Sequence, residues 1–177
     1  MGDVRRDRDH NQRRLDLLES ANALAWERAQ AQGLADELEP HFVRVSNHLE
    51  PMRLSARQSH EPAVWAVAAA FTYGIAGVVA FIFSDHDLVR HAYEEGGAEN
   101  ELAYIYTRLG TPIAAPDPAR LRQPHNYVAR TVVTVVTAGI YSFFWLNDVM
   151  RDGNEHFEAS WVWEDSLAQA VQAGEAA

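Results

Sequence analysis

Two long uncharged stretches interrupt an otherwise charge-rich chain. The first runs from Ala63 to Phe83, and the second runs from Thr131 to Asn147. As a helix, the first stretch is about 31 Å long, which matches the hydrocarbon thickness of a bilayer. The second stretch is at the lower limit for a span, but Arg130 can extend it toward Val128 by reaching for the interface. The pattern therefore predicts two transmembrane helices, over residues 63–83 and about 128–147.

The N-terminal region predicts an amphipathic helix and not a signal peptide. Residues 1–30 lack the apolar stretch that a signal peptide needs. From Leu17 to Leu38, apolar residues recur at alternating spacings of four and three, which indicates a narrow apolar seam along one helix. Pro40 is expected to end this helix, and a short helix is expected from His41 to Leu49. The seam either packs on the rest of the chain or joins two copies as a short coiled coil.

Small residues recur at every fourth position in both uncharged stretches. Residues four apart share a helix face, and small side chains let two helices approach closely in lipid. We therefore predict a tightly packed antiparallel hairpin, or a homodimer that uses one of these faces. The alternative is that alanine is simply frequent in this chain. The helix-packing positions are Ala66, Ala70 and Gly74 in the first stretch and Thr134, Ala138 and Ser142 in the second.

The two uncharged stretches belong to an internal repeat, in which residues 57–93 align without gaps with residues 122–158. Nine of the 37 positions are identical, whereas chance gives about two or three identities at average residue frequencies. Each copy has an R-Q-x-H lead, an uncharged stretch with a T-x-G-I centre and a D-x-x-x-H tail. If each copy crosses the bilayer once, the copies run in opposite directions about a pseudo-two-fold axis in the membrane plane.

These features predict an all-α fold, an integral membrane helical hairpin of two spans with amphipathic helices outside the bilayer. Gly96-Gly97 is expected to break the helix between residues 84–95 and 98–109. The apolar positions between Phe157 and Val171 predict a C-terminal helix, which either lies at the membrane surface or packs on other helices of the chain. The predicted units are residues 1–55, a polar and amphipathic N-terminal region; residues 56–110, the first repeat unit; residues 111–121, a proline-rich linker; and residues 122–177, the second repeat unit.

The distribution of arginine gives a predicted location and orientation. Ten arginines lie outside the connection between the two predicted spans and five lie within it. Because cytoplasmic segments near membrane spans carry an excess of positive charge, both termini are expected to face the cytoplasm. The predicted localisation is the cell membrane, with the chain passing through it more than once.

The net charge of the chain limits which partners it can bind. The chain has 25 acidic residues and 15 basic ones, a net charge of -10, no cysteine and no lysine. Nucleic acid is excluded as the main partner because phosphate binding needs a basic patch. An acidic, lysine-free chain suits a salt-rich cytoplasm, where salt screens the repulsion among carboxylates. A GC-rich genome is the alternative explanation for the missing lysine.

Few polar residues are candidates for metal binding or catalysis. Asp87 and His91 are four positions apart, as are Asp152 and His156, so each pair shares a helix face and is a weak candidate for a divalent metal half-site. A solvated continuation of the helix is the commoner role for such pairs. His60 and His125 are interpreted as polar anchors next to the predicted spans. No catalytic residue, cofactor-binding residue or cofactor is predicted.

The second repeat unit carries a motif that resembles a known family. Residues Thr137 to Trp145 read T-A-G-I-Y-S-F-F-W, and a run to Asn154-Glu-His-Phe157 follows. This stretch resembles the T-x-G-I-Y-x-x-[FY]-W signature of a domain of unknown function, found in small prokaryotic membrane proteins and frequent in salt-loving archaea. The first copy departs from it, with Ala76 and Ala80 in place of the Tyr and Trp. The resemblance implies a helical integral membrane protein of unestablished activity and supplies no catalytic residue.

The predicted function is accordingly non-enzymatic. We expect a structural or partner-binding membrane component, in contact with membrane lipid and assembled as a homo-oligomer or as a subunit of a membrane complex. One alternative is a small inverted-repeat transporter or channel, in which the two copies pair around a path. A second is a metal-binding membrane enzyme that uses the two Asp/His pairs. A third is a soluble helical domain in which the two uncharged stretches form a buried hairpin.

Overall fold

The computed structural model describes residues 3–57, 75–116 and 125–175 of the chain. All regular secondary structure within these residues is helical, which confirms the predicted all-α class. The helices are α1 (Asp3–Gln32), α2 (Ala35–Arg57), α3 (Ile75–Arg108), α4 (Tyr127–Val136) and α5 (Tyr141–Glu175).

Helices α1 and α2 form a hairpin that turns at Gly33. This glycine has a φ of +70°, and the amides of Gly33 and Leu34 donate to the carbonyls of Gln30 and Ala29. Such a pair of bonds with a left-handed glycine is the Schellman ending of a helix. The prediction that Pro40 ends a helix over residues 17–38 was therefore wrong. Pro40 and Pro51 both lie inside α2, each at the expense of one backbone hydrogen bond.

Four helical segments build one apolar core. The Tyr106 hydroxyl donates to the Ala21 carbonyl (3.2 Å), and the Arg28 guanidinium donates to the Val171 carbonyl (2.9 Å). Nearer the start of α1, Arg14 contacts Glu95 of α3 and Glu164 of α5, which precede Tyr106 and Val171 in their own helices. The three helices α1, α3 and α5 therefore run in the same direction. Helix α2 runs in the opposite direction. The core includes Leu18, Ala25, Leu38, Val45, Leu49, Leu102, Ile105, Tyr106, Trp163 and Leu167.

The burial of residues in this core can be compared with the predicted N-terminal seam and the predicted C-terminal helix. Ala21 and Leu38 of the seam are buried, but Leu17 and Leu24 are only half-buried because the buried stripe of α1 is displaced by about one residue. The seam packs on other helices of its own chain, which is the first of the two predicted alternatives; the second was a coiled coil between two copies. Trp163 of α5 also lies in this core, which favours packing on other helices over a position at a membrane surface.

Helix α3 continues through Gly96-Gly97, where the sequence predicted a break. A Cβ atom on Gly97 would lie 2.5 Å from Cε1 of His48 on α2. The glycine therefore provides room for the His48 ring, and its conformation is helical. The C-terminal part of this 34-residue helix packs against α2, from the contact of Glu94 with His48 to that of Arg108 with Glu37.

The second uncharged stretch forms a helical hairpin instead of one continuous helix. Helix α4 ends at Val136, and residues 137–140 reverse the chain. Ala138 and Gly139 have φ angles of +48° and +90°. The Thr137 hydroxyl donates to the Val133 carbonyl (2.8 Å) and accepts from the Tyr141 amide (3.1 Å), which links the end of α4 to the start of α5. The T-A-G-I segment is thus a turn.

The turn also separates the predicted packing positions of this stretch. Thr134 is buried on α4, Ala138 is exposed in the turn, and Ser142 is half-buried on α5, so the three do not form one helix face. Ala66, Ala70 and Gly74 lie outside the described residues. The helices of the two proposed repeat copies, α3 and α5, run in the same direction, whereas the membrane interpretation required opposite directions. The duplication itself remains a prediction.

The predicted multi-pass localisation in the cell membrane was wrong. Within residues 3–57, 75–116 and 125–175, none of the helices combines the length and the apolar character that crossing a bilayer requires. In the second stretch the physical reason is the reversal at residues 137–140, which leaves only ten residues in α4.

Candidate functional site

Of the two residue pairs that the sequence proposed for metal binding, only Asp87 and His91 have described side chains, and they form no metal site. Asp87 is exposed, and the His91 Nε2 atom lies 3.4 Å from Oε2 of Glu95, one turn further along α3. The side chains of Asp152 and His156 lie outside the described residues. Among the described side chains, no group of three or more acidic, histidine or cysteine residues has a geometry that could hold a metal ion.

Arg14 is a buried charged residue, only 2 % exposed, and it joins three helices. Its Nε atom lies 2.7 Å from Oε1 of Glu95, its Nη1 atom lies 2.5 Å from Oε1 of Glu164, and its Nη2 atom donates to Glu99. The guanidinium also lies over the Trp163 ring, 5.0 Å from the ring centroid. A guanidinium has five donors in a fixed plane, so one side chain can serve several carboxylates at once.

Electrostatics keep this arginine charged in spite of its burial. Burial by itself lowers the pKa of Arg14, but the neighbouring carboxylates of Glu95, Glu99 and Glu164 outweigh it and raise the pKa above its ordinary value. This network was not predicted from the sequence, because the partners of Arg14 on α3 and α5 lie far along the chain. A signal was present, since Arg14 lies four residues before the buried Leu18 and so shares its helix face.

Asp85, another buried carboxylate, fixes the start of α4. Asp85 of α3 is fully buried, and its Oδ1 atom lies 2.8 Å from Nδ1 of His125. The His125 amide also donates to Oδ2 of Asp85 (3.4 Å). His125 was predicted to be an interfacial anchor, but here it ties the segment before α4 to α3. His60, its counterpart in the repeat, lies outside the described residues.

The inner side of the α4–α5 hairpin is polar. Arg130 of α4 forms an ion pair with Asp148 of α5 (3.0 Å), and its guanidinium lies 5.8 Å from the ring centroid of the buried Trp145. Arg130 and Asp148 are equally far from Gly139 along the chain, so the reversal brings them opposite each other. Thr134 is buried on the same side of α4 and donates to the Arg130 carbonyl (2.8 Å).

The outer side of this hairpin is apolar and exposed. Four valines of α4 follow the spacing of one helix face and point to solvent, and three large side chains continue the apolar surface around the turn. We call these seven residues the apolar face. They are Val128 (76 % exposed), Val132 (55 %), Val135 (70 %), Val136 (80 %), Ile140 (64 %), Phe143 (75 %) and Phe144 (64 %).

Helix α4 is therefore amphipathic, but its apolar side faces solvent and its polar side faces α5. A surface helix of a globular protein normally turns its apolar stripe to the core and its polar side to water. A contiguous exposed apolar patch of several hundred Å² is rare on a monomer and marks a site of interaction. From the sequence these residues were predicted to be apolar and to contact lipid, because hydropathy alone does not show which molecule covers a surface.

Comparison of the chain with models of protein families, with curated proteins and with solved structures found no match. The resemblance to the T-x-G-I-Y-x-x-[FY]-W family therefore remains a prediction.

Proposed function

We propose that the protein is a non-enzymatic, partner-binding component whose binding surface is the apolar face. The observation that carries this proposal is the reversed amphipathicity of α4, with Arg130 and Thr134 turned inward and four valines turned outward. Exposed apolar surface is unfavourable in water in proportion to its area, and covering it with a second apolar surface removes that cost.

The orientation of α4 is set by two contacts at its N-terminal end. His125 is bound to the buried Asp85 just before the helix begins, and Arg130 is paired with Asp148. Turning the helix by half a turn would bury the valines, but it would break the ion pair and carry the Arg130 side chain away from the Trp145 ring. The valines are thus held at the surface, where they are available to a partner.

Chemical labelling in intact cells tests this function. The chain has no cysteine, so one introduced thiol reports on one position. Val136→Cys places a thiol on the apolar face, where the native side chain is 80 % exposed, and Val43→Cys places one on α2, where the native side chain is 51 % exposed. If a partner covers the face, the thiol at position 136 is labelled more slowly in cells than the thiol at position 43.

The same pair of variants provides the control. In the purified protein at high dilution, where a partner has dissociated, the thiol at position 136 is expected to react faster than the thiol at position 43. Faster labelling of position 136 inside cells as well would show that the face is uncovered there, and the proposed function would be wrong.

A further inference from the structure

We propose that the partner on the apolar face is a second copy of this chain, packed α4 against α4 about a two-fold axis near Val132. This inference rests on the proposed function and names the partner of the same surface. A two-fold interface uses one patch twice, so the patch must be compatible with itself in charge, size and shape.

The charges on the chain make this region suitable for contact between two copies. The chain carries a net charge of -10, so two copies repel each other over most of their surfaces. The stretch from Thr131 to Asn147 contains no charged side chain, and the two charges that flank it, on Arg130 and Asp148, neutralise each other in an ion pair. Two copies that meet here bring no like charges together at the centre of the interface.

The area of the whole face is close to what such an interface needs. At their exposed fractions, the seven side chains present on the order of 800 Å², since a large aromatic side chain alone buries ~150–250 Å² when fully covered, and a stable interface buries about 800 Å² on each partner. Packing of α4 on α4 covers the four valines, so Ile140, Phe143 and Phe144 must also lie within the interface for it to reach this area. Four of the seven residues are valines, whose side chains lose little conformational freedom when they become buried.

The spacing of the valines specifies how two copies meet. Val128, Val132 and Val136 recur at every fourth position along α4. When two such helices pack in opposite directions, Val132 lies opposite its own equivalent, and Val128 lies opposite Val136 of the other copy. This pairing satisfies the rule of a two-fold interface, in which residue i contacts j and residue j contacts i.

Disulfide trapping tests the geometry directly. Because Val132 pairs with itself, Val132→Cys is expected to give a disulfide-linked species of twice 19.8 kDa on mild oxidation of the purified protein. Val43→Cys is the matched control, with a native side chain that is 51 % exposed against 55 % at Val132. Several-fold faster cross-linking at position 132 supports the inference, and equal rates at the two positions overturn it.

Measurement of mass in solution tests the assembly without any cross-link. The unmodified chain is expected to change from monomer to dimer as its concentration rises, and added salt is expected to strengthen the dimer by screening the repulsion between two acidic chains. Val132→Glu should remain monomeric, whereas Val43→Glu should dimerise normally. Far-UV circular dichroism establishes that both variants are folded. A chain that stays monomeric at high protein and salt concentrations overturns the inference.

The results also distinguish this inference from the proposed function. If position 136 is protected in cells but the purified chain is a monomer, a different partner covers the face, and only the second-copy inference fails. If position 136 is protected in the purified monomer too, another part of the same chain covers the face, and both statements fail. Binding of the monomer to phosphatidylcholine vesicles, lost in Val132→Glu, would identify a lipid surface as the occupant and also overturn the inference.

Discussion

The helical bundle formed by α1, α2 and the C-terminal parts of α3 and α5 differs from the α4–α5 hairpin in what each buries. The bundle buries leucines, alanines and Tyr106, and the carboxylates of Glu95 and Glu99 that it encloses share the guanidinium of Arg14. The hairpin encloses Arg130, Thr134 and Trp145 and exposes its valines and phenylalanines. The bundle thus turns its main apolar stripe into a core of its own chain, although Trp161 and Val162 of α5 stay exposed. The hairpin presents on α4 the kind of surface that other proteins place inside a core.

The two regions also differ in how far their contacts reach along the sequence. In the bundle, Arg14 contacts Glu95 and Glu164, which are far away in the sequence, so the network exists only when α1, α3 and α5 have assembled. In the hairpin, Arg130 contacts Asp148 of the next helix, across a short turn. We therefore expect substitutions in the bundle to act on global stability, and substitutions in the hairpin to act on local geometry and association.

The largest expected effect is the loss of stability in Arg14→Ala. This change leaves Glu95 and Glu99 buried without their shared guanidinium, and breaking a buried ion pair from one side costs about 3–5 kcal/mol. Urea denaturation of the variant should show a correspondingly lower unfolding midpoint. Arg13→Ala removes the neighbouring exposed arginine and should cost much less, under about 1 kcal/mol, because interactions of exposed charged side chains contribute little to stability.

A combined variant separates the charge effect from the loss of packing. Arg14→Met with Glu95→Gln and Glu99→Gln removes the charges together and should recover part of the lost stability, because replacing a whole buried ion network is often close to neutral. If Arg14→Ala and Arg13→Ala had equal effects, the view of the bundle as a charge-compensated core would be incorrect.

The difference between the bundle and the hairpin also explains which features could be predicted from the sequence. Periodicity predicted the helical class and a C-terminal helix, because a helix that packs on one side repeats its apolar positions. It left open whether that helix lies at a membrane surface or packs on other helices, and the burial of Trp163 in the core favours the second interpretation. It did not predict the reversal at residues 137–140, which depends on the Thr137 hydroxyl and on the left-handed Gly139. Hydropathy averaged over a whole uncharged stretch does not register one hydrogen bond or one backbone angle. The charge network of Arg14 was missed because its partners are distant in the sequence.

Gly139 provides the next largest effect, now in the hairpin. Its φ of +90° lies in a region that side chains with a Cβ atom disfavour, so Gly139→Ala should destabilise the hairpin by about 1–2 kcal/mol. Ala138→Gly should act in the opposite direction, by less than about 1 kcal/mol, because Ala138 already has a φ of +48°. Amide hydrogen exchange over residues 127–148 measures both. Faster exchange throughout the bundle in Gly139→Ala would show that the two regions are not separable.

Gly97 tests how closely α2 and α3 must approach in the bundle. A Cβ atom there would lie 2.5 Å from Cε1 of His48, so Gly97→Ala forces the ring to move and weakens its contact with Glu94 (2.8 Å). We expect a loss of about 1 kcal/mol in the free energy of unfolding. In the background of His48→Ala the clash is absent, and the same substitution should stabilise the helix by about 0.5–1 kcal/mol. A destabilisation of equal size in both backgrounds would contradict the role assigned to the ring.

The smallest effect concerns a carboxylate at the edge of the bundle and depends on pH. Glu101 accepts from the Arg44 Nε atom (2.7 Å) and lies 2.6 Å from Nδ1 of His41. Burial raises the pKa of the Glu101 carboxyl, but its hydrogen bonds and charge interactions with Arg44 and His41 outweigh burial, and the pKa is lowered overall. A carboxyl whose pKa is lower in the folded state stabilises the protein above its unfolded pKa, and this contribution is lost as the pH falls through the folded pKa.

Glu101→Gln should therefore be less stable than the unmodified chain at neutral pH, by less than about 1 kcal/mol because the ion pair is partly exposed. The difference should shrink as the pH falls below about 4.3, the ordinary pKa of a glutamate, and vanish once the folded carboxyl is protonated. Urea midpoints of the two proteins at a series of pH values measure the difference, and Glu39→Gln on the exposed side of α2 is the control. A difference that grows with falling pH would mean that the folded state holds the Glu101 proton more tightly than the unfolded chain. The edge of the bundle would then resemble an uncompensated acidic surface, and the distinction drawn between the two regions would be limited to the core around Arg14.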